Sequence, residues 1–308
     1  MVDLSVIIVT YNRCEILSLT LSSFLKLKKL PFDYEILVID NNSNDLTKCV
    51  VDNFSTILPL RYVFEPKQGQ NNGRNAGITQ ALGGVLVYID DDISVDEKWI
   101  SSVFESTLRF PEGKFFGGKI FPSFPVGTSD WKKNSSYSSF VYAIHDLGED
   151  EVVYPDKSSP CGGHFWIRSE VFSENLKFDD HIGPYKNKRI SGGEIEFFER
   201  LKTFGIKPIY VPSAVVTHRI QPFQTSKRYL LKRSYASGRG FVYIYRNSSY
   251  PLILGVPRFL LRQFIENCFS SISFYIKGDI KSSFERLMTA SHRLGCIKQY
   301  RDFLKVNK

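Results

Sequence analysis

The first hundred residues alternate short apolar runs with stretches where apolar residues return every three or four positions. Leu4-Ser5-Val6-Ile7-Ile8-Val9 is nearly continuous in apolar side chains, the pattern of a strand covered on both faces. Ile16, Leu17, Leu21, Phe24 and Leu25 recur at helical spacing, with Asn12 placed to cap that helix. Glu35 to Ile39 and Leu60 to Phe64 predict two more strands, and Gly83-Gly84 break the chain before a fourth, Val85 to Ile89. Strands alternating with helices predict α/β construction around a largely parallel sheet. Polar residues fall at the C-terminal strand ends: Thr10-Tyr11-Asn12 after the first, Asp40-Asn41-Asn42 after the second, Asp90-Asp91-Asp92 after the fourth. Open α/β sheets bind their ligands there.

Past about residue 110 the alternation weakens, and Pro122, Pro125, Gly127 and the serines among 135–139 predict a loop-rich insertion. A strand-helix element returns near Cys161 to Phe172. A helix covers Glu194 to Phe204 with Gly205 as its C-cap, and Ile209-Tyr210-Val211 and Val215-Val216 read as closing strands. After Gln224, Lys227, Arg228, Lys232, Arg233, Arg239 and Arg246 interleave with Tyr229, Tyr235, Phe241, Tyr243 and Tyr245. The expected organisation is a catalytic-size domain over 1–224, with halves of about 1–110 and 111–224, and a basic, mainly helical region over 225–308.

Composition narrows this only partly. The chain has 308 residues, 43% of them hydrophobic, enough for one large core or a main domain with an appendage. A formal charge of +8 favours anionic partners: nucleotide phosphates, nucleic acid or an acidic membrane surface. Five cysteines without a CxxC pair suggest neither a zinc site nor a disulfide framework, and fit a reducing cytoplasm. Met1 runs directly into a strand-like segment, so no signal peptide is expected. Leu252 to Ile276 is interrupted by Arg258, Arg262 and Glu266, so no transmembrane span is expected either.

The candidate chemistry starts at Asp90-Asp91-Asp92. Three adjacent carboxylates at a strand end repel one another and call for a compensating cation. The same triplet would also serve as a cap for a helix opening over Ile93 to Trp99. The segments Val6-Ile7-Ile8-Val9-Thr10-Tyr11-Asn12-Arg13, Val38-Ile39-Asp40-Asn41-Asn42-Ser43, Gly73-Arg74-Asn75-Ala76-Gly77 and Ile89-Asp90-Asp91-Asp92 add a neighbourhood to it. In this order and spacing they resemble the family 2 glycosyltransferases with the GT-A fold, over about residues 4–222.

That resemblance implies a Rossmann-like, mixed but mostly parallel sheet with flanking helices. It implies an enzyme that moves a sugar, with inversion, from a nucleoside diphosphate sugar (UDP favoured) to a glycan or lipid-linked acceptor, in cell-surface polysaccharide or glycolipid synthesis. By the same resemblance Thr10, Tyr11, Asn12, Arg13, Asp40 and Asn42 surround the nucleotide, Asp40 accepting a hydrogen bond from a uracil-type imide. An Asx turn is the alternative for Asp40. Arg74 and Asn75 border the nucleotide, with Gly69, Gly73 and Gly77 admitting its close approach. Asp90 and Asp91 line the donor, and Asp92, Asp90 and His218 are the expected metal ligands. Oxygen donors select Mn²⁺ or Mg²⁺.

Gly163, His164 and Trp166 match the family's Gly-rich stretch near the donor sugar. His164 and Trp166 stand where smaller residues are usual, and the Trp166 indole would either stack on a ligand or fill the core. Glu194 falls on the aspartate of the family's Glu-Asp pair and is the expected general base, one methylene longer than usual; Glu196 is its reserve.

In the C-terminal region Arg258, Arg262 and Glu266 face away from a stripe of Leu261, Phe264, Ile265, Cys268 and Ile272, which predicts a helix packed on the protein or lying on an anionic membrane. The cytoplasm, with a peripheral membrane position, is the expected location. Two other functions share some features: a metal-dependent nucleotidyltransferase, which would carry a basic Gly-rich loop after the first strand, and a nucleic-acid binder. Thr10-Tyr11-Asn12-Arg13 is not such a loop, and no nucleic acid is expected as a partner.

Overall fold

The computed structural model describes residues 2–28, 31–172, 176–185, 188–246 and 250–306, and side chains outside 184–189, 305 and 306. Of the expected C-terminal region, 247–249, 307 and 308 lie outside the described residues. In chain order the elements are β1 (Leu4–Thr10), α1 (Cys14–Phe24), β2 (Tyr34–Asp40), α2 (Thr47–Ser55), β3 (Leu60–Phe64), α3 (Gln70–Gln80) and β4 (Val85–Asp90). There follow β5 (Ile93–Val95), α4 (Trp99–Arg109), β6 (Phe115–Ser123), α5 (Asp130–Lys133), α6 (Ser138–Tyr142), β7 (Val152–Val153) and β8 (His164–Arg168). The remainder is β9 (Gly183–Tyr185), β10 (Lys188–Ile190), α7 (Gly193–Thr203), β11 (Pro208–Arg219), α8 (Lys227–Tyr245), β12 (Leu252–Ile253), β13 (Val256–Pro257), α9 (Arg258–Ile276) and α10 (Ile280–Val306). Contacts divide these into two units: Met1–Ser123, Ala143–His181 and Glu194–Arg219 make the first, and Phe124–Tyr142, Ile182–Gly193 and Ile220–Lys308 the second.

The first unit is built on one sheet in the order β3-β2-β1-β4-β8-β6-β11-β5, with β7 on β11. Strands β1 to β4 run parallel, β8 lies antiparallel between β4 and β6, and β6 and β11 are again parallel. The register sets Thr10 beside Asp40 and Val9 beside Asp90, which brings the polar strand ends to one edge of the sheet. One face buries Val6, Ile8, Val38, Val87 and Ile89 under α1 and α4. The other buries Ile7, Leu37, Ile39, Leu86 and Tyr88 with Phe197, Phe198 and Leu201 of α7. Burial on both faces accounts for the unbroken apolar run of β1.

Several local expectations change. Asn12 does not cap α1: it sits at φ 51° and its Oδ1 accepts from Asn44 N at 2.8 Å, while Arg13 precedes the helix without a side-chain cap. The residues after the acidic triplet form β5 rather than a helix, because Ile93 and Val95 pair with His218 and Val216 of β11. The two closing strands are one long strand with a register shift between Val211 and Val215. Gly205 does end α7, at φ 73° with its N–H donating to the Lys202 carbonyl.

Gly73 and Gly77 lie against β1, not along an open loop. A Cβ on Gly73 would meet Val9 Cγ1 at 2.4 Å, and one on Gly77 would meet Ile7 Cγ2 at 2.6 Å. Their missing side chains let α3 settle directly on the strand. His164 and Trp166 also depart from expectation. Both are fully buried on the inner side of β8, where Trp99 Nε1 donates to His164 Nε2 at 2.8 Å and Trp166 Nε1 to Ser106 Oγ at 3.2 Å. Trp166 stacks on Phe116 with ring centroids 5.7 Å apart. Neither can touch a donor sugar, because strand alternation turns them into the core.

In the second unit α8 and α9 each pack on α10. Gly238 and Gly295 make the α8–α10 crossing close: a Cβ on Gly238 would meet the His292 carbonyl at 1.9 Å, and one on Gly295 the Tyr235 carbonyl at 2.0 Å. Arg239 Nη2 bonds Asp302 Oδ2 at 3.1 Å across the same crossing. The insertion carrying α5 and α6 joins this unit, with Trp131 and Tyr137 edge-on to Phe284.

Two stability measurements follow. Gly73→Ala should lower the urea midpoint, losing about 1–3 kcal/mol to overpacking against Val9 despite alanine's better helix propensity. Adding Val9→Ala should recover much of the loss, and a merely additive pair would show that the contact is not the cause. Burial, helped by His145, pushes His164 from 6.5 down to about 3. The unfolded chain therefore binds a proton that the folded one refuses, so this residue's contribution weakens as the pH falls below 6.5. From about pH 7.5 to about pH 5 the wild type should lose about 2 kcal/mol relative to His164→Gln in chemical denaturation. An unchanged gap would exclude His164 as the titrating group.

Candidate active site

At the end of β4 the acidic triplet is held by the chain itself. Thr10 Oγ1 donates to Asp91 Oδ2 at 2.7 Å, Thr20 Oγ1 to the Asp91 carbonyl at 2.6 Å, and Arg13 Nη1 to Asp91 Oδ1. Arg13 Nη2 reaches on to Asp92 Oδ2 at 2.8 Å. Asp91 thus faces inward as the anchored member of the three. Arg219 closes the other side: its N–H donates to the Asp92 carbonyl at 2.9 Å and its guanidinium to Ile93 O, Ser94 Oγ and Leu19 O.

Asp92 and His218 come together, with Asp92 Oδ1 3.3 Å from His218 Nε2 and both residues buried. Burial alone would raise the Asp92 carboxyl, but His218 and Arg13 hold it well below the usual carboxylate range. The carboxylate oxygen is the ligand type that Mn²⁺ and Mg²⁺ prefer, and the imidazole nitrogen beside it tilts the pair toward Mn²⁺. Asp90 does not close a third ligand around that pair. Among the described residues, ligand-type atoms of three such side chains converge only at Asp179, Asp180 and His181, where both acids are half-buried and Asp180 is paired with Lys67. Burial, with repulsion from Asp92, pushes Asp90 up to about 6.

Asp90 instead faces the Gly162-Gly163 backbone. Gln70 Nε2 donates to its Oδ1 at 3.3 Å, and a Cβ on Gly163 would meet its Oδ2 at 2.9 Å. On the neighbouring glycine stands the expected base: a Cβ on Gly162 would meet Glu194 Cδ at 2.5 Å. Glu194 belongs to the first turn of α7, where a carboxylate is favoured by the helix dipole. Arg74 lies between them, its Nη2 donating to the Gly162 carbonyl at 3.3 Å and its Nη1 3.5 Å from Glu194 Oε2.

Arg74 and Asn75 were expected beside the nucleotide, and their side chains are committed elsewhere. Arg74 is buried, bonded to Asn71 Oδ1 at 3.0 Å and packed over the Phe178 ring. The Asn75 amide exchanges two hydrogen bonds with the Phe178 backbone, at 2.9 and 3.0 Å. Glu196 is taken up by a two-pronged ion pair with Arg200, at 2.6 and 2.9 Å, so it does not join Glu194. Asp40 is buried and accepts from Ser43 N at 2.9 Å and Tyr62 OH at 2.7 Å, which is the turn geometry foreseen as its alternative. Asn42 sits at φ 69° and bonds the Pro66 carbonyl at 3.2 Å. Tyr11 is exposed at the strand end, free to lie on a flat ligand.

Sequence reasoning missed Gln70, Thr20 and Arg219. Each acts across twenty or more residues of chain, and only the fold brings them to the triplet.

The chain matches the description "Glycosyl transferase family 2" over residues 5–176, more than half its length. It is 26% identical to glycosyltransferase AglE of Haloferax volcanii over 243 residues, 78% of this chain and 73% of that protein. It is 24% identical to the glucosyl-dolichyl phosphate glucuronosyltransferase of the same organism over 238 residues, 76% of this chain and 74% of the relative. Among solved structures it resembles the mannosyltransferase PcManGT of Pyrobaculum calidifontis with GDP-Man and Mn²⁺, at TM-score 0.56 and 13% identity over 99% of this chain and 76% of that one. It also resembles S. aureus TarS 1-349 with UDP, at TM-score 0.52 and 13% identity over 98% and 92%. These two likenesses show the GT-A fold. The family match and these relatives support the glycosyltransferase reading, not the nucleotidyltransferase or nucleic-acid-binding alternatives. With a family match that runs from β1 through the triplet to the glycines beside Glu194, the chain belongs to the family 2 glycosyltransferases.

Proposed function

We propose that this chain transfers a sugar, with inversion, from a UDP-sugar to a polyprenyl-phosphate-linked glycan, using Glu194 as the general base. The observation that carries this reading is the pair of carboxylates, Asp90 and Glu194, set against the adjacent glycines Gly163 and Gly162. A strip of backbone without side chains lies between one acid at the end of β4 and one at the helix start, and this reading sets the reacting sugar carbon there. The UDP preference draws on the fold shared with a UDP complex. The lipid-linked acceptor draws on the names of two relatives, the dolichyl phosphate enzyme and a GalNAc(5)-diNAcBac-PP-undecaprenol glucosyltransferase of Campylobacter jejuni.

In this mechanism Glu194 takes the proton as the acceptor oxygen forms its bond to the anomeric carbon. The bond from that carbon to the diphosphate oxygen breaks in the same displacement, and the nucleoside diphosphate leaves with the electron pair. Arg74 fixes the carboxylate from behind, and its bond to the Gly162 carbonyl ties the base to the strip over which the donor lies. Asp92 and His218 would hold the divalent ion, Mn²⁺ or Mg²⁺. Bound there, it would offset charge developing on the leaving diphosphate. Thr10 and Arg13 keep Asp91 and Asp92 in place, and Tyr11 offers its ring to the base.

Glu194→Gln should reduce transfer by about 10²–10⁴-fold while UDP affinity, read by calorimetry with Mn²⁺, stays near that of the wild type. Transfer at wild-type rate would remove Glu194 from the role. Asp92→Asn should abolish the thermal stabilisation that Mn²⁺ plus UDP gives the wild type. A screen of UDP-, GDP- and dTDP-sugars for hydrolysis decides the nucleotide, and a GDP-only response would overturn the UDP assignment.

A further inference from the structure

Helix α9 buries Leu260, with Phe264 partly covered, in the second unit's core around Val242, Cys296 and Tyr300, and buries Ser271 against Ser283 of α10. Leu261 packs there as well, so the stripe read from the sequence is split. The side that remains outside carries Ile265, Phe269, Ile272 and Ile276, exposed by 52%, 70%, 56% and 78%. At 3.6 residues per turn these four fall within an arc of about 60°. Single exposed apolar side chains are ordinary, but four aligned along one helix are not.

The ends of this stripe are cationic. Arg258 and Arg262, expected opposite the apolar stripe, instead share this face at its N-terminal end, and Lys277 and Lys281 follow its last residue, all exposed. Two acids stand near it: Glu266 pairs with Arg262 at 3.5 Å, and Asp279, between the two lysines, accepts from Ser282 N at 2.9 Å at the start of α10. From residue 225 to 308 the sequence carries 16 lysines and arginines against four aspartates and glutamates, while the preceding residues are net acidic. The chain's positive charge is therefore concentrated in the part that exposes this stripe.

We propose that α9 lies in the headgroup region of an anionic bilayer, with Ile265, Phe269, Ile272 and Ile276 in the acyl boundary and the flanking arginines and lysines on lipid phosphates. An amphipathic helix with an apolar face and cationic flanks binds in this way without crossing. No described helix is long and apolar enough to cross a membrane. A second copy of the chain fits the stripe poorly. Both ends are basic, so pairing two α9 helices in either direction sets cations against cations.

The full chain should float with phosphatidylcholine vesicles that contain phosphatidylglycerol, and stay behind with phosphatidylcholine alone. The binding should fade in ~1 M salt, where the Debye length is about 3 Å. Phe269→Ser combined with Ile272→Ser should weaken partitioning at least tenfold while leaving the melting temperature and the hydrolysis of nucleotide sugar in solution unchanged. Arg258→Gln combined with Lys277→Gln should weaken it and flatten its salt dependence. Failure of the wild type to float, equal flotation of the Phe269/Ile272 variant, or a variant that alters only the oligomeric state by light scattering would each overturn the assignment. Because solution hydrolysis is read separately, loss of catalysis and loss of lipid binding stay distinguishable.

Discussion

Three carboxylates on consecutive residues at a strand end repel one another, and the site is arranged around managing that repulsion. The chain divides the task. Asp91 is paired with Arg13 and hydrogen-bonded by Thr10, Asp92 is set against the imidazole of His218, and Asp90 is turned toward the glycines, without a salt bridge among the described residues. A single ion could not serve all three equally at this spacing, so separating them leaves one acid structural, one beside an imidazole and one beside the glycines. The long reach of β11 matters because it delivers His218 and Arg219 to the same point from the far side of the sheet.

Much of the fold was legible because local pattern and tertiary demand agree in the first hundred residues. Strands β1 and β4 are buried on both faces and read as continuous apolar runs; the glycines before β4 and after α7 mark real breaks. Legibility failed where one residue type serves two purposes. Gly73 and Gly77 look like a ligand-approach loop, yet their absent side chains admit Val9 and Ile7. Ile93 and Val95 follow an acidic cap-like cluster, yet pairing with β11 outweighs helix initiation.

The site was legible as a neighbourhood and less so as a set of contacts. Thr10, Arg13, Asp40, Arg74 and Asn75 all converge on the strand ends, but each spends its polar atoms on the protein: Asp91, Ser43, Tyr62, Glu194 or the Phe178 backbone. Motif spacing shows which residues meet, and cannot show which partner wins when protein and ligand compete for the same donor. His164 and Trp166 show the limit most sharply. They adjoin a glycine of the site, and a two-residue alternation decides that they face the other way.

Helix α3 has an unusual interior. Where most helices cover a sheet with aliphatic side chains, α3 presses bare glycines on β1 and uses amides and a guanidinium as fasteners. Asn71 holds the Asp179 carbonyl, Asn75 the Phe178 backbone, and Arg74 the Gly162 carbonyl. Such fasteners are directional and hold only while their partners are in position. Residues 178 and 179 are tied to α3 by three of these bonds, so loosening that stretch costs the bonds and the burial of the Phe178 ring at once.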